Sequence, residues 1–204
     1  MLKGIWEILS PDIKNIIDEA GFQTFFQALL NHDTHKYKDL QLLLVLSERF
    51  WDTTCTSHFP GIGKVMLTPY DFSAIAGLKL GGERIKVNDF ITLAEIKILL
   101  GVMPSKMKSK NVSLMWLYTN IENCKTVATS TRMFILLFIR TLLCPDLGST
   151  VSLCYLWSLR DIGRIKNYDW GGMAYTTLLH FMTQLSLRSL LSLGGALFAV
   201  PLMM

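Results

Sequence analysis

The chain has 204 residues, half of them hydrophobic, with 20 Lys and Arg against 16 Asp and Glu, a formal net charge of +4 and a mean hydropathy of +0.35. That length fits one domain or at most two, with volume for a core that stands without disulfides or metals. Because only 18% of residues are charged, the composition excludes intrinsic disorder, and collagen, coiled coil and disulfide scaffold fail as well.

The opening Met1-Leu-Lys-Gly-Ile-Trp-Glu7 does not read as a signal peptide, because a charged residue and the Ser10-Pro11 helix start interrupt any apolar run. Ser10 as N-cap and Pro11 at the first helical position predict a short helix with Ile13, Ile16, Ile17 and Ala20 on one face. A second helical run from Phe22 to Leu30 leads into the polar turn Asn31-His-Asp-Thr-His-Lys36. Beyond it, Leu40, Leu43, Leu44, Ser47 and Trp51 mark a helix predicted to be buried nearly all round.

From Thr53 the texture changes. The β-branched Thr53-Thr-Cys-Thr56, the Pro60-Gly-Ile-Gly63 turn and Lys64-Val-Met-Leu-Thr68 predict one short β-hairpin near residues 53–68. Thr68 as cap, Pro69 at the first helical position and Asp71 at the positive end of the dipole restart helix, which Gly77 ends. Thr92-Leu-Ala-Glu95 is a capping-box pattern, and Gly101 with Pro104 supplies the stop, so Leu93 to Leu100 is the best-marked helix. Further helices fit Ser113 to Ile121, Thr129 to Leu143, Val151 to Ile162 and Tyr175 to Leu187. The fold class is therefore mainly α, a compact helical domain with one short hairpin and no internal repeat.

No segment is a clear membrane span, which needs about 20 consecutive apolar residues. The richest candidates are Met133 to Ile139, closed by Arg140, and the uncharged end from Ser189 to Met204, interrupted by Gly194, Gly195 and Pro201. This end is expected to be core helix or loose tail, with membrane association as the rival reading.

Signatures of catalysis are absent from the sequence. Gly61-Ile-Gly63 and Gly81-Gly82 lack the strand, loop and helix context of a phosphate cradle, and there is no GxSxG nucleophile elbow. His32-Asp-Thr-His35 and Cys55-Thr-Ser-His58 are the ligand-like pairs, too few for a structural zinc site. They read as ordinary loop and hairpin residues, and His180 as a core histidine. Cys55, Cys124, Cys144 and Cys154 are scattered without CxxC spacing and read as buried thiols of a reducing compartment. Trp51, Trp116 and Trp157, flanked by aliphatics, are expected in the core. No cofactor or metal is expected.

Charge is more informative. Lys97, Lys106, Lys108 and Lys110 carry +4 with no acid between Ile96 and Asn111, which leaves the rest of the chain formally neutral. Pro104-Ser-Lys-Met-Lys-Ser-Lys110 reads as a flexible basic loop that contacts phosphates non-specifically or an acidic partner, or else is simply solvated. A second cluster, Arg160 to Gly172, mixes Arg164, Lys166, Tyr168 and Trp170 with acids and glycines after a helix. It reads either as a recognition surface, or as a local Arg160–Asp161 pair with Trp170 anchoring the turn to the core.

Leu43-Leu-Val-Leu-Ser-Glu-Arg-Phe-Trp-Asp-Thr-Thr54, followed by His58-Phe-Pro-Gly-Ile-Gly-Lys-Val-Met-Leu-Thr-Pro-Tyr-Asp-Phe-Ser-Ala-Ile-Ala-Gly-Leu78, resembles the aminotransferase-like plant mobile domain family, related to the maintenance-of-meristems protein. A second block, Val151-Ser-Leu-Cys-Tyr-Leu-Trp-Ser-Leu-Arg-Asp161 with Tyr168-Asp-Trp-Gly-Gly172, is similar to the family's later motif. On this resemblance residues 1–35 form an N-terminal helical flank, 36–190 the domain, and 191–204 an apolar tail where the family pattern is truncated or degenerate. The resemblance implies a transposon-derived nuclear protein of meristem maintenance, genome stability or silencing, and also a domain found beside phosphatase-like domains. It does not imply transamination, since no Schiff-base lysine with a phosphate loop is identifiable. The expected partner is chromatin or a protein, with Lys106, Lys108, Lys110, Arg164, Lys166, Tyr168 and Trp170 as contact residues.

Overall fold

The computed structural model describes residues 2–31, 45, 48–104, 107–124, 126–144 and 148–187. Its contacts divide the chain into two units, each assembled from three stretches: Met1–Gln23, Gly82–Thr141 and Gly148–Asp169 form the first, and Thr24–Gly81, Leu142–Leu147 and Trp170–Met204 the second. The architecture is mainly α, as expected, with short antiparallel sheets. The polar turn at residues 32–36, the inner-face positions Leu40 to Leu44, and the apolar end after Leu187 lie outside the described residues.

In the first unit, helices α1 (Leu2–Ile8) and α2 (Pro11–Glu19) lead the chain. Ile13 and Ile17, four apart, bury one face of α2. Further helices α5 (Leu93–Leu100), α6 (Leu114–Ile121) and α7 (Val127–Phe138) belong to the same unit. The last is its spine, because every side chain from Met133 to Phe138 is fully buried, and a helix that is apolar all round must lie inside. Phe138 meets Phe22 edge-on at 4.5 Å, and Phe134 lies 6.0 Å from Trp6. The expected helix to Leu143 ends early: after Phe138 the chain widens into a π-helical turn, Ile139–Leu143.

The expected helix from Val151 to Ile162 is not one. Thr150–Ser152 is strand β5, paired antiparallel with β4 (Asn111–Ser113) through the register Val112↔Val151, and 3-10 turns Leu153–Trp157 and Ile162–Asn167 follow. Val112 and Val151 are both buried, so this apolar run satisfies its burial by pairing with a distant strand.

The second unit joins α3 (Gln23–Asn31), a three-stranded sheet, α4 (Pro69–Ala76) and α8 (Trp170–Ser186). The expected hairpin is present as β2 (Thr56–Phe59) and β3 (Gly63–Val65), joined around Pro60 to Ile62, with β1 (Phe50–Trp51) added on its other side. Phe72 of α4 lies 5.7 Å from Tyr175 of α8, whose hydroxyl donates to the Leu67 carbonyl at 2.8 Å.

Two helix starts follow their sequence signals closely. Thr68 and Thr92 each accept from the backbone N–H of the third helical residue, while Asp71 and Glu95 accept from the cap backbone in return. Gly77 and Gly101 close these helices in the left-handed conformation. The bonds from Thr68 hold the Asp71 carboxyl below its ordinary range, and the Thr92 backbone bond does the same for Glu95. A depressed carboxylate contributes stability that is present above the ordinary pKa of about 4 and is lost as pH falls through the lowered folded value. Urea midpoints are therefore expected to fall on acidification below about pH 4, and to fall less in Asp71→Asn. A parallel loss in both proteins would remove the capping boxes from the acid limb.

Candidate functional site

The basic segment before β4 is ordered by a tight turn over the residues described. Lys108 and Asn111 exchange backbone hydrogen bonds in both directions, at 3.4 and 2.8 Å, across Ser109 and Lys110. Both central residues have positive φ, 47° and 60°, the geometry of a type I′ turn that glycine or asparagine usually supplies. The expectation of a flexible loop is thus corrected for residues 108–110. Lys108 projects into solvent, whereas the Lys110 ammonium donates to the Asp89 carbonyl. Lys106 lies outside the described residues.

The cations of the second cluster are met by acids far away in sequence. The Arg164 guanidinium bonds both oxygens of Glu83, at 2.7 and 2.6 Å, and Lys166 pairs with Glu19 at 3.2 Å. Arg160 pairs with Glu95 and lies 3.7 Å over the Trp157 ring. The expected local Arg160–Asp161 pair is therefore replaced, and the Asp161 carboxylate instead caps the 3-10 turn by accepting from the Gly163 N–H at 2.9 Å. All these pairs are substantially exposed and contribute little to stability.

Tyr168 is half-buried and occupies a backbone ladder. Glu83 N–H donates to Asn167 O at 2.7 Å and Asp169 N–H to Glu83 O at 2.9 Å, which forms a parallel bridge between Glu83 and Tyr168. Trp170 is only 1% exposed, so its side chain is a core element and is not displayed for contact. In the second unit, Gly171 lets the start of α8 press close to residues 79–80: a Cβ there would stand 2.6 Å from the Lys79 carbonyl oxygen.

Of the three tryptophans expected in the core, Trp51 is instead at the surface. Trp51 is 52% exposed and stacks on the His58 imidazole at 3.9 Å, with the Lys64 ammonium 5.8 Å from its ring centre. The Cys55-Thr-Ser-His58 pair is occupied differently, as His58 Nε2 lies 3.3 Å from Thr56 Oγ1 and the Cys55 thiol faces the Asp52 carbonyl. His180, expected in the core, is exposed and meets Phe181 edge-on. Trp116 and Trp157 are half-buried, and Cys154 is the fully buried thiol. No group of three His, Cys, Asp or Glu that would hold a metal forms among the described residues.

A cleft of about 460 Å³ in the first unit escaped the sequence reading, since its walls come from residues 8–13 and 121–130. Its lining is mixed, with Leu9, Ile13, Ile121 and Val127 beside Glu122, Thr126 and Ser130, and Ser10 contributes a buried hydroxyl with no hydrogen-bond partner. Burial pushes the Cys124 thiol on its wall up, away from the thiolate a nucleophile needs.

Together these elements define a mainly helical fold with an ordered turn that exposes Lys108 and an aromatic cluster on a small sheet. The chain belongs to the family described as "Domain of unknown function (DUF8566)", which matches residues 2–200. It is also similar to the Arabidopsis thaliana protein named "Serine/threonine-protein phosphatase 7 long form homolog", 28% identical over 174 residues. The match covers 80% of this chain but only 13% of that relative's length. No solved structure matches. No helix among the described residues is long and apolar enough to cross a membrane.

Proposed function

We propose that this chain is a non-catalytic nuclear interaction module of the plant mobile domain type, transposon-derived and acting in meristem maintenance, genome stability or silencing through chromatin or a protein partner. The observation that carries the reading is the ordered lysine turn. It holds Lys108 and Lys110, two of the four lysines whose charge equals the net +4 of the chain, while Arg160, Arg164 and Lys166 are already paired with carboxylates.

A DNA titration of the purified chain at several salt concentrations tests it, since each phosphate contact contributes about −0.9 to the log-log slope. A slope of about −2 to −3 is expected, falling toward zero when Lys106, Lys108 and Lys110 all become Ala. Absence of binding at low salt, or a slope the triple variant leaves unchanged, removes the lysines from any nucleic-acid contact.

A second reading, a phosphatase-associated accessory domain, draws support from the name of the Arabidopsis relative and from the small share of it that this chain matches. It differs experimentally in requiring a phosphatase domain as partner, so a change in phosphatase turnover upon adding this chain would favour it.

A further inference from the structure

The first unit displays a second surface, adjoining the lysine turn, that phosphate contact leaves unexplained. Phe90 is 90% exposed and Ile98 76% exposed, with Leu93 about half exposed. These side chains sit on a fixed scaffold. Phe90 donates its N–H to the Asn88 side-chain oxygen at 2.9 Å, and the Asn88 N–H is tied to the Cys154 carbonyl at 3.3 Å. Beside Phe90, Ile91 is fully buried. Helix α5 starts directly after it on the Thr92–Glu95 capping box, with Ile96 and Leu100 sealed into the core. At 100° per residue, Leu93, Ala94, Lys97 and Ile98 then share the outward arc, and all four are exposed.

Charge accompanies this apolar face. Lys97 stands on the same arc and Lys108 is exposed on the adjoining turn, against the acids Asp89 and Glu95. Of those two acids, Glu95 is engaged by Arg160 and Thr92. The Lys110 ammonium donates to the Asp89 carbonyl, which fixes the lysine turn beside Phe90.

We infer that this face, built from Phe90, Leu93, Lys97, Ile98 and the Lys108–Lys110 turn, docks an acidic protein segment with aliphatic or aromatic anchors. The inference rests on the interaction-module reading and names the chemistry of the partner. Nucleic acid would use the lysines and could stack one base on Phe90, but Leu93 and Ile98 offer a base no plane and would be left without a role. A bilayer surface is met by a long apolar stripe with cations along its edge, whereas this arc interleaves Lys97 between Leu93 and Ile98 on a helix of eight residues. An acidic segment with regularly spaced anchors satisfies both the charge and the apolar side chains.

The test uses the full chain and a fluorescein-labelled peptide with Leu at i, i+3, i+4 and i+7 and Glu elsewhere, read by anisotropy at about 50 mM salt. Saturable binding is expected. The double variant Phe90→Ser, Ile98→Ser should weaken it at least tenfold with an unchanged melting temperature, because these side chains are solvent-exposed. Lys97→Glu should also weaken it, and a Leu→Ser peptide should not bind. No saturable binding, or equal affinity of the double variant, overturns the inference. So does a Phe90 and Ile98 dependence that appears with phosphatidylserine-containing vesicles or duplex DNA but not with the peptide, which would assign the face to that ligand. If lysine substitutions abolish DNA association while the double variant leaves peptide affinity untouched, the docking inference fails and the module reading stands. If neither set of substitutions has any effect, both fail.

Discussion

Gly82→Ala is expected to destabilise the protein by about 3 kcal/mol or more, lowering the melting temperature by roughly 10 °C. Gly82 has φ +123°, and a Cβ built there would stand 2.3 Å from the Asn167 carbonyl oxygen. That oxygen accepts from the Glu83 N–H at 2.7 Å, so the methyl group cannot be accommodated without breaking the ladder that continues through Tyr168 to Asp169. Gly81 provides the control. It too has a positive φ, +85°, but its Cβ position has nothing within 4 Å. Gly81→Ala should therefore cost only the left-handed backbone penalty of about 1–2 kcal/mol. Thermal melts of the two variants read the difference directly, and equal shifts would show that contact with the Asn167 carbonyl is not what excludes a side chain at Gly82.

The second large effect is expected at Arg132, on the spine helix. Its guanidinium donates to three backbone carbonyls: Leu159 at 2.8 Å, Leu99 at 3.2 Å and Arg160 at 2.7 Å. The Leu99 carbonyl lies in the last turn of α5 and the other two follow the first 3-10 turn, ends where a helix leaves carbonyls without partners. Desolvation lowers the Arg132 pKa, partly offset by the Asp161 charge, without bringing an arginine near neutrality. Arg132→Met keeps the aliphatic stem and removes all three bonds, leaving acceptors whose loss costs about 1–3 kcal/mol each. A total of about 3–5 kcal/mol is expected, against a typical domain stability of about 5–15. Arg132→Lys should recover only part of it, because one ammonium cannot span the fork of donors. Full recovery by lysine in a urea titration would reduce the role of Arg132 to its charge.

Where an element is set by neighbouring residues, the sequence already contains it. The Thr68-Pro69-x-Asp71 and Thr92-x-x-Glu95 starts and the Gly77 and Gly101 stops are all local chemistry, and each is found where its residues stand. Elements set by remote partners are not legible in this way. Val151-Ser152 reads as helix in the sequence because its apolar run carries no sign of the Asn111–Ser113 strand it pairs with. The tryptophans reverse for the same reason. A core position is expected for Trp51, yet on the edge strand β1 it stacks on His58 in solvent, while Trp170, in a polar and glycine-rich stretch, is buried. At the candidate site, Lys108 and Lys110 could be nominated from charge alone. That Arg164 and Lys166 are met by Glu83 and Glu19 could not, since those partners lie 81 and 147 residues away. Phe90 and Ile98 were missed because their exposure depends on Ile91, Ile96 and Leu100 taking the inward positions.

The interleaving of the two units bears on how the chain acquires its structure during synthesis. Neither unit is a continuous stretch: the first needs residues up to Asp169, and the second needs α8, which begins at Trp170. An emerging chain therefore cannot complete one unit and then begin the next, the usual order for domains on the ribosome. Most of the polypeptide must be translated before either core closes: Met133 to Phe138 emerges with Trp6 and Phe22 already made, but the first unit still awaits the residues up to Asp169. For the same reason, cutting the chain at any single point does not release a unit whole, and fragments should regain structure only when co-expressed as complementary pieces.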